Sequence, residues 1–110
     1  VSEREDPSDL LLIRKDCEDK TRKLSLKHNA VVGTSSARRK SQLLAFRNDI
    51  QINDLRGNVP TRIQKLRDKK YDAIMLAAAG VERLKIDLSE LVCIKLQPHE
   101  FVPAPAQGVL

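Results

Sequence analysis

The chain has 110 residues, enough for one domain or for part of a larger protein, with 41% hydrophobic and 32% charged residues. That balance excludes a disordered chain, and no apolar run approaches the roughly 20 residues that span a bilayer. A net charge of +5 suits an anionic partner in general or, for most of the lysines, simply a solvated surface, and the three aromatic residues (Phe46, Tyr71 and Phe101) supply few stacking platforms for single-stranded nucleic acid.

The first ten residues, VSEREDPSDL, are acidic and contain no apolar leader. With no initiating Met, they are expected to be the start of an excised piece. DLLLIRK (9–15) reads as a strand, and DCEDKTRKLSLKHN (16–29) as polar and irregular with one short helix. AVVGT (30–34) is β-branched and predicts a buried strand. SSARRKSQLLAFRN predicts a helix, with Thr34, Ser35 and Ser36 as natural caps and Gly33 expected to allow a tight turn. DIQINDL (49–55) alternates as a strand. RGN (56–58) has turn chemistry, and VPTRIQKLRDKK (59–70) follows as a helix with Pro60 near its start and Val59, Ile63 and Leu66 on one face. YDAIMLAAAG predicts a strand entering a turn, AAAGVERLKI another helix, and Val92–Leu96 a final strand. The order β, βαβαβα, β argues for an α/β domain with a mixed sheet flanked by helices. In such sheets ligands lie beyond the carboxyl ends of the strands, where loops enter helix N-termini.

Two of those junctions, GTSSARR (33–39) and LRGNVPTR (55–62), carry arginines. A helix N-terminus offers free N–H groups and the positive end of a dipole, and arginine adds a planar fork that matches a carboxylate. Arg62 in a first helical turn opposes the dipole, a local cost that an arriving anion would explain. The alternatives are an anion site and a plain helix cap. The excess of guanidinium groups favours the anion site, without naming the anion. Arg38 and Arg39 are about 100° apart on a helix, so both are not expected on one buried face. The GxxxxGK[ST] phosphate loop is absent. Cys17 and Cys93 form no CxxC and read as free thiols, and no metal site is expected. His28 and His99 read as surface residues, and Asp72 as structural.

Five stretches, EREDP (3–7), VGTSSARR (32–39), LRGNVPTR (55–62), YDAIMLAAAGVERL (71–84) and PAPAQG (103–108), stand in the order and spacing of the porphobilinogen deaminase (hydroxymethylbilane synthase) family, which the chain resembles over nearly its whole length. The resemblance implies a three-domain cytoplasmic transferase of tetrapyrrole and heme biosynthesis. Its first two domains are like type 2 periplasmic binding proteins, with the active cleft between them. Four porphobilinogen molecules are joined head to tail, with release of ammonia, to give hydroxymethylbilane. A dipyrromethane cofactor, attached to a cysteine of the third domain, primes the chain, and a catalytic aspartate comes from the first.

Residues 1–110 match the second domain, with hinge segments near 1–8 and 101–110. The resemblance assigns Arg38, Arg39, Arg56, Arg62 and Arg83 to the carboxylates of substrate and cofactor. It assigns Thr34, Ser36, Ala77 and Gly80 to cofactor hydrogen bonding and lining, and Gln107 to the hinge side of the cleft. Neither Cys17 nor Cys93 lies in a motif like that of the cofactor-bearing cysteine, and the catalytic aspartate's motif is absent. No catalytic residue is therefore expected in the chain, and the fragment alone is expected to be inactive. Residues 85–101 lack a family anchor, and Pro60 and Ala106 stand where the family varies. The implied partners are porphobilinogen, the growing polypyrrole and the other domains of the same polypeptide, with no nucleic acid and no membrane. The competing readings are a stand-alone small-anion-binding module and a basic nucleic-acid-binding domain.

Overall fold

The computed structural model describes residues 7–97. Five strands form one sheet: β1 (Asp9–Arg14), β2 (Val31–Gly33), β3 (Gln51–Asn53), β4 (Ala73–Ala77) and β5 (Leu91–Leu96). Three helices, α1 (Ala37–Phe46), α2 (Val59–Arg67) and α3 (Ala78–Leu84), follow β2, β3 and β4 in turn. The irregular 16–29 stretch contributes 3-10 turns at Lys15–Cys17 and Lys23–Ser25.

The strand order is β3-β2-β4-β1-β5. β2 runs parallel to β3 and β4, whereas β1 is antiparallel to both of its neighbours. Among the described strands β1 is thus the one that runs in reverse. Its first residue, Asp9, pairs with Ala77 at the end of β4 and Leu96 at the end of β5. Asp9 therefore lies on the edge where the other strands finish.

The alternation of side chains explains why DLLLIR is apolar throughout. Leu11 and Ile13 join a core with Val32, Leu43 and Met75 beneath α1. Leu10 and Leu12 join a second core with Ile63, Leu66, Ile74 and Val81 beneath α2 and α3. Helices on both faces leave both sides of the strand dry. The Val59–Ile63–Leu66 face of α2 packs as its spacing predicts, with Ile63 and Leu66 buried.

Two local expectations need correction. α2 stops at Arg67, three residues before the predicted end, because Asp68 caps it and Lys69 turns left-handed at φ 65°. Lys69 N–H donates to Leu66 O and Lys70 N–H to Lys65 O, the paired bonds of a Schellman ending with lysine where glycine is usual. Lys69 and Lys70 therefore lie beyond the helix rather than in its last turn. Gly33 serves a different purpose from the expected tight turn. It ends β2 in ordinary strand pairing, and a Cβ there would meet Cδ2 and Cε2 of Tyr71 at 2.7 and 2.8 Å. Its missing side chain is the seat of the tyrosine ring.

Asp72 is structural, as expected. It accepts from Val31 N–H at 2.8 Å, faces Arg14 at 3.3 Å and Lys27 at 3.6 Å, and touches the buried Cys17 thiol. Burial opposes its ionisation, but the Val31 N–H, the thiol and the two cations outweigh it and lower its pKa. Burial likewise pushes the Cys17 thiol up. His28 is largely exposed, and its Nδ1 lies 3.2 Å from Asp49. His99, Gln107, and the hinge segments apart from Pro7 and Ser8 lie outside the described residues.

Candidate carboxylate site

The two arginine-bearing turns meet at the carboxyl edge of the sheet. In the first, Ser36 caps α1 by accepting from Arg39 N–H at 3.2 Å. Thr34, itself buried, accepts from Ser36 N–H at 3.2 Å. In the second, Asn58 caps α2 by accepting from Thr61 N–H at 2.9 Å. Gly57 has φ +112°, a left-handed backbone that glycine adopts without strain. Arg62 Nε donates back to Gly57 O at 2.6 Å, and Lys65 Nζ to Arg56 O at 3.1 Å.

Ser35 joins the turns. Its Oγ accepts from Leu55 N–H at 3.0 Å and donates to Leu55 O at 3.1 Å. Tyr71, seated on Gly33, donates its hydroxyl to Asp54 O. The two junctions are thus one braced unit.

A cavity of about 600 Å³ opens beside this unit, with Arg39 of α1, Arg62 of α2 and Arg83 of α3 in its wall. Ala77 and Gly80 line it too, with apolar surface from Val59, Leu76 and the half-exposed Leu84. α3 follows Ala77, whose methyl side chain cannot cap it, and the Ala78 N–H donates instead to Ser8 O at 2.9 Å. A smaller cavity of about 220 Å³ lies at the start of α1, lined by Thr34, Ser35, Ser36, Lys40, Ile52 and Asp54.

The residues singled out in the sequence therefore divide. Arg39, Arg62, Arg83, Ala77 and Gly80 share the larger cavity, and Thr34 and Ser36 share the smaller one. Arg38 and Arg56 line neither cavity. Arg56 is 77% exposed and pairs with the equally exposed Asp54 at 3.6 Å. Arg38 bonds Gln42 at 2.7 Å through Nη1 and Asp9 at 3.3 Å through Nη2. Arg39 Nη2 reaches the other oxygen of the same carboxylate at 2.9 Å. Adjacent arginines were not expected to share a buried face. Arg39 is mostly buried and Arg38 half-exposed, yet both converge on one carboxylate.

Sequence reasoning missed Asp9, took Ser35 for a cap where it braces the second turn, and read Asn58 only as a turn residue where it caps α2. Asn58 was legible as a cap after a glycine. Asp9 had only a faint signal, an acid heading a wholly apolar strand.

Comparison with known proteins decides the family. Residues 1–110 match the family model described as porphobilinogen deaminase, dipyromethane cofactor binding domain. The chain belongs to the porphobilinogen deaminase family. It is 54% identical over 86 residues to the porphobilinogen deaminase of Roseiflexus castenholzii, covering 78% of this chain and 28% of that protein. It is 48% identical over 110 residues to that of Thermus thermophilus, covering 100% of this chain and 35% of the relative. With the Nitratidesulfovibrio vulgaris relative, identity is 49% over 111 residues and coverage 100% and 33%. The chain thus spans about a third of the length of its curated porphobilinogen deaminase relatives.

A solved periplasmic binding protein of Salmonella typhimurium, described as having high arginine specificity, matches with a TM-score of 0.61 at 9% identity, over 86% of this chain and 42% of the other. At that identity the likeness concerns the fold, which is of the type 2 periplasmic-binding-protein kind. The dipyrromethane that the porphobilinogen deaminase domain binds carries carboxylates, and the cavity suits such a group. Three guanidinium groups line it, and Arg39 Nε is buried without a hydrogen-bond partner. Among the described residues no group of three or more His, Cys, Asp or Glu side chains could hold a metal ion, and no helix is long and apolar enough to cross a membrane.

Proposed function

We propose that residues 1–110 form the second domain of a porphobilinogen deaminase and hold the carboxylates of its cofactor and growing pyrrole chain. The parent enzyme condenses four porphobilinogen molecules into hydroxymethylbilane with release of ammonia, in the cytoplasm. The observation that carries this reading is the cavity to which three different helices each contribute one arginine. Every pyrrole unit bears an acetate and a propionate, so each addition brings two carboxylates into the cleft. Guanidinium forks pair with carboxylates through parallel, charge-assisted hydrogen bonds.

In this role Arg39, Arg62 and Arg83 bind carboxylates within the cavity, and Arg38 and Arg56 act at its margins. Thr34 and Ser36 offer hydroxyls, while Ala77 and Gly80 allow close approach of backbone to ligand. Gln107 belongs to the hinge side. When bound, the dipyrromethane supplies the primer to which units are added. Its attachment point lies elsewhere in the polypeptide. Cys17 is buried against Arg14 and Asp72, and Cys93 stands exposed on β5, lining neither cavity. The fragment alone is inactive in this reading, because the catalytic aspartate comes from the first domain.

In the full-length enzyme, Arg39→Leu, Arg62→Leu and Arg83→Leu should each lower cofactor content or stall an early addition, as read by mass spectrometry of covalent intermediates. The double variant Lys69→Ala/Lys70→Ala should behave as the unsubstituted enzyme. Equal effects from both sets would mean that net charge alone suffices. Turnover by the purified 110-residue chain, or a pyrrole adduct on Cys17 or Cys93, would overturn the assignment.

A further inference from the structure

We infer that Asp9 is a positioning residue for the carboxylate cavity: a built-in carboxylate that holds Arg38 and Arg39 so that Arg39 meets an incoming anion already oriented. The inference rests on the proposed carboxylate-binding role of the cavity. It starts from topology. Because β1 alone among the described strands is reversed, its first residue sits between Ala77 and Leu96, at the edge where the ligand loops gather. The Asp9 side chain is 4% exposed there, and a carboxylate so deprived of water needs cationic partners.

The partners are divided one to each oxygen, Arg39 at 2.9 Å and Arg38 at 3.3 Å. Two cations on one anion leave one positive charge at the pair. Arg38 is engaged at two corners, by Asp9 and by Gln42. Arg39 is tethered to Asp9 through Nη2; its Nε is buried, so the donors left for a ligand are those of the terminal nitrogens. Of the two, Arg39 is the one that lines the cavity. A guanidinium has five N–H donors, so a tether at one corner leaves others for a ligand. It also removes the rotamer freedom of a long side chain before binding, which is how pre-organisation raises affinity.

The sign of one measurement separates positioning from simple charge balance. Removing a negative charge makes the cavity more positive, so if net charge governed binding, Asp9→Asn would lower KM for porphobilinogen. If Asp9 positions Arg39, KM rises. In the full-length enzyme, at a temperature where all variants are shown to be folded by their unfolding curves, Asp9→Asn should lower kcat/KM about tenfold or more, mainly through KM. That is the size expected when a charge-assisted hydrogen bond is lost. In an Arg39→Leu background the same change should add little, since the group it acts through is gone.

An unchanged or lower KM in Asp9→Asn, or an equal loss in both backgrounds, overturns the inference. If Arg39→Leu reduces activity and Asp9→Asn does not, only the role of Asp9 falls. If Arg39→Leu has no effect, the reading of the cavity falls with it. Should Asp9→Asn fail to fold, Asp9→Glu keeps the charge and displaces it by one methylene. An unaltered KM in that variant overturns the inference equally.

Discussion

The two arginine-bearing turns follow nearly the same recipe and end in different electrostatic states. Each has a glycine, a capping side chain and a pair of arginines around a helix start. In the first, Arg38 and Arg39 close on the buried carboxylate of Asp9. In the second, Arg56 faces an aspartate as exposed as itself, and Arg62 bonds its own turn's backbone. The difference comes from what lies beneath. The reversed strand β1 delivers an acid under the first turn, whereas the buried residue beside Arg56 is Leu55. A turn motif supplies donors, and the neighbouring strand decides whether they are already engaged.

The sharpest way to break the contrast is to delete each acid. Asp9→Ala leaves Arg39 largely buried without its counter-charge and should cost roughly 3 kcal/mol, as buried pairs do when one partner is removed. Asp54→Ala removes an exposed partner and should cost about 0–1 kcal/mol. Chemical denaturation of both variants measures the difference, and equal losses would erase the distinction between the turns.

The brace between the turns is the next target. Gly33→Ala places a Cβ within 2.8 Å of the Tyr71 ring, which is tethered at its hydroxyl to Asp54 O. A ring held at its hydroxyl must give way against that tether, so a loss of about 1–3 kcal/mol is expected, the usual range for overpacking. A thermal midpoint lowered by several degrees would register it.

Acid should loosen the start of β2, at the sheet edge opposite the two turns, before it loosens the second turn. Asp49, through Arg47 and the Asn29 N–H, and Asp72, through the Val31 N–H despite its burial, both have pKa values below the ordinary 3.8. A depressed folded-state pKa gives stability that is complete above the unfolded value and lost as pH falls through the folded one. Hydrogen-exchange protection of Asn29 and Val31 should therefore decline below about pH 4, near the ordinary aspartate value. Thr61, whose N–H is held by the non-titrating Asn58 amide, should lose protection only with global unfolding.

The smallest effect lies past the end of α2. Lys69→Gly relieves a left-handed lysine at φ 65° and should stabilise the protein by about 0.5–1 kcal/mol. No change in denaturation midpoint would mean that the lysine bears no strain there.

Most of the element order was legible because each element's apolar period matches the surface it buries. DLLLIR is apolar on both faces since both are covered, and Val59, Ile63 and Leu66 recur at helical spacing. The end of α2 was misplaced because a lysine occupies the left-handed position where a glycine would have marked the stop. The site was legible as two turns rich in arginine and hydroxyls. The choice between them was hidden, since Arg39, Arg62 and Arg83 come together only when three helices point at one sheet edge.

By itself, the sequence determined the α/β alternation, the capped turns, the surplus of guanidinium groups and the family resemblance. All of these depend on residues near one another in the chain. The tertiary structure decided that β1 runs against its neighbours, that Asp9 consequently lies beneath α1, and that Gly33 is a seat for Tyr71. Those pairings span roughly 30 to 70 residues of sequence. Strand direction sets them, and no local periodicity encodes which edge of a sheet a strand's first residue will reach.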